Sequence, residues 1–212
     1  MNDIQVSERL INFLIFLPLF FISLSVHEFA HAYLANKLGD STAKNLGRLT
    51  LNPLKHIDLV GSVLMPVIAF ASGLMIIGWA KPVPVNPNNF KKPYSDDAVV
   101  SVAGPISNLA LAFLFAVILF FNNTINTDSW LNGILTLAVY FNIFLFAFNL
   151  LPIPPLDGSH ILFDLFPNRL TAKILNLGFY GTIILFLFIY SPLWKYFMTF
   201  VLGITEFILN TV

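Results

Sequence analysis

His27, Glu28 and His31 form a His-Glu-x-x-His pattern inside a long apolar run that begins at Leu10. Residues four apart on a helix share one face, so the two imidazoles point the same way. Two imidazoles on one face can hold a zinc ion, and Glu28 beside them can act as general base toward a metal-activated water. Three ionisable groups in an otherwise lipid-compatible helix are costly and read as functional. A catalytic zinc site needs a third protein ligand and one open position. The chain has no cysteine, so that ligand is a histidine or a carboxylate. Asp157 is the best candidate: it follows Pro154 and Pro155, precedes Gly158 and lies just past the end of an apolar run. Its alternative reading is a helix cap or turn aspartate.

The elements that must bring these residues together are set by composition. The chain has 212 residues, 57% hydrophobic and 10% charged. Soluble domains carry about 25% charged residues, so this composition predicts an integral membrane protein. The formal net charge is zero, which argues against a nucleic-acid partner. The first apolar run lacks the basic region and cleavage site of a secretory signal, and it carries the His-Glu-x-x-His residues.

We expect an all-α polytopic protein in one domain over residues 1–212, with a core at about 10–166 and a C-terminal helical pair at about 170–209. Five membrane-crossing helices are expected: about 10–35, 98–121, 131–151, 174–190 and 194–209. Pro18 is expected to kink the first. A polar, basic stretch covers residues 36–58, and the apolar run 59–79 is interrupted by Pro66, Ser72 and Gly73. Residues 81–97 are proline-rich, and alternating Val83 and Val85 suggest a short edge strand there, where proline is tolerated. Residues 159–166 read as a brief amphipathic helix.

Taken together, the motifs resemble the site-2 protease family of intramembrane zinc metalloproteases. The resemblance rests on His27-Glu28-Phe29-Ala30-His31, on Gly104-Pro105-Ile106-Ser107-Asn108, on Asn149 and on Leu156-Asp157-Gly158. It implies that His27, His31 and Asp157 bind one Zn2+, that Glu28 is the catalytic base, and that Asn149 holds the substrate backbone. It also implies that the Gly-Pro-x-x-Asn helix packs between the two ligand helices. The implied substrates are transmembrane proteins, shortened first by another, site-1-type protease. Some relatives carry a PDZ or CBS module; the short 122–130 loop leaves no room for a PDZ module, so a minimal catalytic core is expected.

The chemistry constrains the topology. His27 to His31 and Asp157 must reach one depth, each near the C-terminal end of a helix, so the first helix and the 131–151 helix run parallel. The 98–121 helix between them runs antiparallel. Residues 36 and 97 then lie on one side, so 59–79 is expected to be a re-entrant hairpin turning near Ser72-Gly73, with a full span as the alternative. Seven of the eleven Lys and Arg residues lie between Asn36 and Asp97, which makes that side cytoplasmic and puts the zinc near the cytoplasmic face. A prokaryotic cell membrane is the expected location, with lipid around the helices.

Other residues receive plainer readings. His160, three after Asp157, is a candidate hydrogen-bond partner for a metal ligand, or an alternative ligand. Asn108 bonds to a neighbouring helix or touches substrate. Gly104 and Pro105 allow close helix packing or a local bend. His56 reads as solvated or interfacial, and Asp58 and Asp164 as caps or interfacial charges. Two rival functions are a metal-binding transporter and an inactive scaffold; neither needs Glu28 between the histidines.

Overall fold

The structure is a computed structural model that describes residues 3–72, 78–125 and 129–211. Its first helix, α1, is Asp3–Leu38 and runs unbroken through Pro18. The polar lead before Leu10 therefore belongs to the helix from Asp3 onward. A single turn, α2 (Thr42–Asn45), follows. The apolar segment Leu59–Ser72 is wound as π turns over Leu59–Leu64 and continues as α3 (Met65–Ser72). Asp58 caps it, accepting a bond from the Gly61 N–H at 2.7 Å.

The expected turn at Ser72-Gly73 falls partly outside the described residues. Its two flanks nevertheless meet. The Trp79 N–H donates to the Gly61 carbonyl at 3.1 Å, and the Ser62 hydroxyl donates to the Trp79 carbonyl at 2.7 Å. A Cβ on Gly61 would collide with the Trp79 indole, so glycine is what lets the returning chain lie this close. The run thus begins and ends at one level.

The helix expected at 98–121 is longer at both ends: α4 is Pro93–Ile125. Pro93 read as loop, yet proline suits the first helical position, where its missing N–H has no partner to lose. Asp96 strengthens the start by accepting from the Lys92 N–H at 2.9 Å. Next come α5 (Ser129–Asn149), α6 (Asp157–Leu165), α7 (Arg169–Leu175), α8 (Phe179–Ile189) and α9 (Leu193–Thr211).

Side-chain register fixes the helix directions. Asn108 and His31 of α4 and α1 pair as His27–Asn108 and His31–Val100, so those helices run antiparallel. Asn122 pairs with Asn132 and Asn108 with Asn142, so α4 and α5 are antiparallel too. It follows that α1 and α5 run parallel. Ala112 and Ala116 of α4 let α5 approach closely, and Val139, Ile143 and Ala147 of α5 and Val201 and Ile208 of α9 complete the main buried core.

Among the described residues three helices are long and apolar enough to cross a membrane: Phe13–Leu38, Pro93–Ile125 and Trp130–Asn149. The expected crossing at 174–190 is instead divided, with α7 and α8 meeting at 82°. The cause is local: Gly178 takes a positive φ of 52°, which ends one helix and redirects the next. The helix α9 is present at its expected place and carries Lys195 and Glu206; it is not among the three. No strand occurs among the described residues. Val83 and Val85 both pack inward, as residues two apart do on extended backbone, but that backbone is held by carboxylates instead of a sheet partner.

Candidate metal centre

His27 and His31 lie on one face of the C-terminal part of α1, their rings 4.6 Å apart. Both are buried, as is Glu28. Asp157 reaches them from the first turn of α6. The cap position there is Leu156, with no side-chain cap bond, so Asp157 is not spent on capping its own helix. The turn that delivers it is tight: a Cβ on Gly158 would strike the carbonyl oxygens of Leu150 and Leu151, and the Ser159 hydroxyl ties back to the Leu156 carbonyl at 2.7 Å.

The ligand-bearing atoms converge. His27 Nε2 is 3.2 Å and His31 Nε2 3.4 Å from Asp157 Oδ2, and the two Nε2 atoms are 3.0 Å apart. Donors about 2.0–2.2 Å from a tetrahedral centre lie about 3.3 Å from one another, which matches these separations. Protonation points the same way. His31 Nδ1 faces the Val100 carbonyl at 2.8 Å, and a carbonyl only accepts, so Nδ1 carries a proton and, in the neutral ring, Nε2 offers a lone pair. His27 Nδ1 faces Asn108 Oδ1 at 2.6 Å, with the same consequence. Two imidazole nitrogens and a carboxylate oxygen then face one another, and a cation, a proton or a metal ion, must lie between them. Asp157 Oδ2 is buried without a hydrogen-bond donor. This set of donors fits a zinc ion and is hard to rationalise without a cation.

Gly104 of α4 makes room for it. A Cβ there would collide with His31 Nε2 and lie 2.5 Å from His27 Cε1 and 2.6 Å from His27 Nε2. Sequence reasoning took Gly104 for a helix-packing residue; what it admits is the ligand pair itself. A helix-interior glycine beside Pro105, where propensity opposes both, was the available signal.

Glu28 is held from the other side. Its Oε2 accepts from the Val83 N–H at 2.7 Å. The segment carrying Val83 is anchored at three points: Arg48 donates to the Lys81 carbonyl at 2.6 Å, the Lys81 N–H donates to the His56 carbonyl at 2.9 Å, and Asp40 accepts from the Asn86 N–H at 2.8 Å. His56, read as solvated or interfacial, is buried, with Nε2 against the Thr50 carbonyl at 2.8 Å. Nothing local in the sequence announces this, because its partners are backbone groups distant along the chain.

The remaining candidates lie elsewhere. Asn108 is fully buried, and its amide is committed to His27, to the Ser23 carbonyl and to Asn142, which leaves no face for substrate. The Asn149 Nδ2 donates to the Leu145 carbonyl at 3.0 Å within its own helix. His160 turns away from the metal ligands: its Nδ1 lies 3.4 Å from Asp97 Oδ2. Three residues after Asp157 on a helix is close to one turn, but α6 packs on α4, and Asp97 sits where that turn emerges.

Asp164 completes the Asp97–His160 cluster. Burial, reinforced by the Asp97 carboxylate beside it, pushes the Asp164 carboxyl up to about 7, and the hydrogen bond to Asp97 raises His160. A carboxyl raised this way binds more protons folded than unfolded, so stability falls as pH rises from about 4 to about 7. Asp164→Asn is expected to raise the thermal midpoint at pH 8 and to leave it nearly unchanged at pH 4. Thermal unfolding in detergent at the two pH values checks this; an equal change at both would contradict it.

Comparison with known proteins agrees with the geometry. The family model for peptidase family M50 matches residues 122–189. YwhC of Bacillus subtilis (strain 168), provisionally named a zinc metalloprotease, is 42% identical over 181 residues, covering 82% of this chain and 80% of YwhC. The Rip2 proteins of Mycolicibacterium smegmatis and Mycobacterium tuberculosis (strain H37Rv), named in the same provisional way, are each 35% identical over 139 residues, 65% of this chain and 51% of theirs. The chain thus matches about half the length of the Rip2 proteins. No solved structure matches it. With 42% identity across four fifths of both chains, and the His-Glu-x-x-His and Leu-Asp-Gly residues meeting at one point, the chain belongs to peptidase family M50, the site-2 protease family.

Proposed function

We propose that this protein is a zinc endopeptidase that hydrolyses peptide bonds within or beside transmembrane segments of other membrane proteins. The observation that carries the reading is the meeting of His27, His31 and Asp157, with Glu28 on the same helical turn, among helices apolar enough to cross a membrane.

One zinc ion per chain would be held by His27 Nε2, His31 Nε2 and the Asp157 carboxylate. Zinc bound there supplies Lewis acidity, activating a water and polarising the scissile carbonyl. Glu28 is the base that would take a proton from the attacking water and deliver it to the leaving amide nitrogen. The Val83 N–H holds Oε2 in place and leaves Oε1 to carry the proton. Asp157 is the most open of the three ligands, with 21% of its side chain exposed against 6% and 9% for the histidines, so water and substrate approach from the α6 side.

A helix hides its carbonyls in hydrogen bonds, so the substrate backbone is extended when cut. Asn149, the last residue of α5, has its Nδ2 bonded to the Leu145 carbonyl and offers Oδ1 to a substrate N–H. The closed flanks of the 59–79 run support the re-entrant reading, which puts residues 36–97 and the metal centre toward the cytoplasm of a prokaryotic cell. Substrates already trimmed by a first protease suit a site with this access. Glu28, engaged beside the histidines, distinguishes this reading from a transporter or a scaffold.

The test is cleavage in a defined system. The purified chain, reconstituted in vesicles with a tagged single-span substrate, is expected to cut it, to lose the activity on chelation and to regain it on adding zinc. Intact substrate under every condition, from a zinc-loaded protein, would count against the protease reading.

A further inference from the structure

Three fully buried polar residues stand behind His27, one from each of the helices α1, α4 and α5: Ser23, Asn108 and Asn142. Polar side chains this deep among apolar helices need a reason. Their bonds form a directed chain. Both hydrogens of Asn142 Nδ2 are used, on Ser23 Oγ at 3.0 Å and on the Ala138 carbonyl at 2.9 Å. That turns Asn142 Oδ1 toward Asn108, where it accepts from Asn108 Nδ2 at 3.1 Å. The second hydrogen of Asn108 Nδ2 points to the Ser23 carbonyl at 3.3 Å. Flipping the Asn108 amide would set its oxygen against two acceptors at once. Asn108 Oδ1 is therefore kept facing His27 Nδ1, which must donate to it. The ring is left in the one tautomer whose Nε2 can bind metal.

We propose that Asn142 is a positioning residue for the metal ligand His27, acting through Asn108. The proposal rests on the metal-centre reading above. It goes beyond it by assigning the histidine's tautomer to an α5 residue that touches neither the metal ligands nor Glu28 in the bonds described. Outer partners of metal-bound histidines typically contribute 10–100-fold in metal affinity.

The experiment is zinc affinity by chelator competition on the purified full chain, with the thermal midpoint of the metal-free protein measured in parallel. Asn142→Leu removes the nearer of the two acceptors that orient Asn108, leaving the Ser23 carbonyl at 3.3 Å, and is expected to weaken zinc about 10–100-fold. Asn108→Asp in the same background supplies an oxygen to His27 whichever way it rotates, without Asn142 Oδ1 opposing it. The double variant is therefore expected to recover most of the lost affinity. Unchanged affinity in Asn142→Leu would overturn the proposal while leaving the metal centre intact. A loss that follows the metal-free midpoint downward, and that Asn108→Asp does not restore, would assign Asn142 to packing and overturn it as well. A wild-type chain without measurable zinc affinity would instead remove the metal-centre reading on which the proposal stands.

Discussion

Glu28→Gln is expected to slow peptide-bond hydrolysis by about 10²–10⁴-fold, the usual contribution of a general base, with bound zinc unchanged. Glutamine has nearly the same shape and keeps an oxygen that can accept from the Val83 N–H, so the 2.7 Å contact that orients the side chain survives. What disappears is the capacity to take a proton at neutral pH. In the proposed centre the ligands are the two histidines and Asp157, so metal content is not at stake. Single-turnover cleavage with enzyme in excess, paired with elemental analysis of the same preparation, separates the two effects. Loss of zinc together with rate would make Glu28 a ligand rather than a base.

Gly104→Ala is expected to abolish zinc binding and cleavage together while the helices stay folded. Its Cβ would enter the space occupied by the two imidazoles, on the side of the nitrogens that face Asp157. In the rest of a helix the same change is favourable by about 1 kcal/mol, because alanine loses less backbone freedom than glycine. The signature is therefore unusual: a helix-favouring substitution that empties the metal centre. Gly133→Ala is the control, since a Cβ there meets nothing within 4 Å. Zinc content and far-ultraviolet circular dichroism of both variants check the prediction. Wild-type zinc in Gly104→Ala would show that the imidazoles lie elsewhere in the working protein.

These two residues also mark what the linear chain reveals and what it conceals. The spacing of His27 and His31 makes one helical face visible at once, and the need for a third ligand in a cysteine-free chain narrows the choice to a few carboxylates. The requirement that Asp157 reach the same depth dictates the parallel run of α1 and α5, and the register of Asn108 with His27 and Asn142 follows that arrangement. Features made by partners far along the chain were not legible. The Val83 N–H finds Glu28 across 55 residues, so a segment with strand-like composition is instead an irregular strap gripped by carboxylates. His56 and Arg48 are buried against backbone carbonyls that no motif announces. Asn142 was passed over because it lies in an apolar helix outside any recognised pattern, although an amide in such a helix is itself the signal. At Gly178 the apolar run continues in composition while the backbone turns, so hydropathy alone joined what geometry divides.

Three side chains from two distant parts of the chain must bind one metal ion if the protein is a zinc peptidase. X-ray absorption at the zinc edge of the purified, active protein tests this most directly. Two imidazole nitrogens at about 2.0–2.1 Å with carboxylate and water oxygen at about 2.0–2.2 Å are expected, and Asp157→Ala should remove the carboxylate or the metal itself. Zinc with no imidazole in its shell, or an active protein that carries no metal ion, would contradict it.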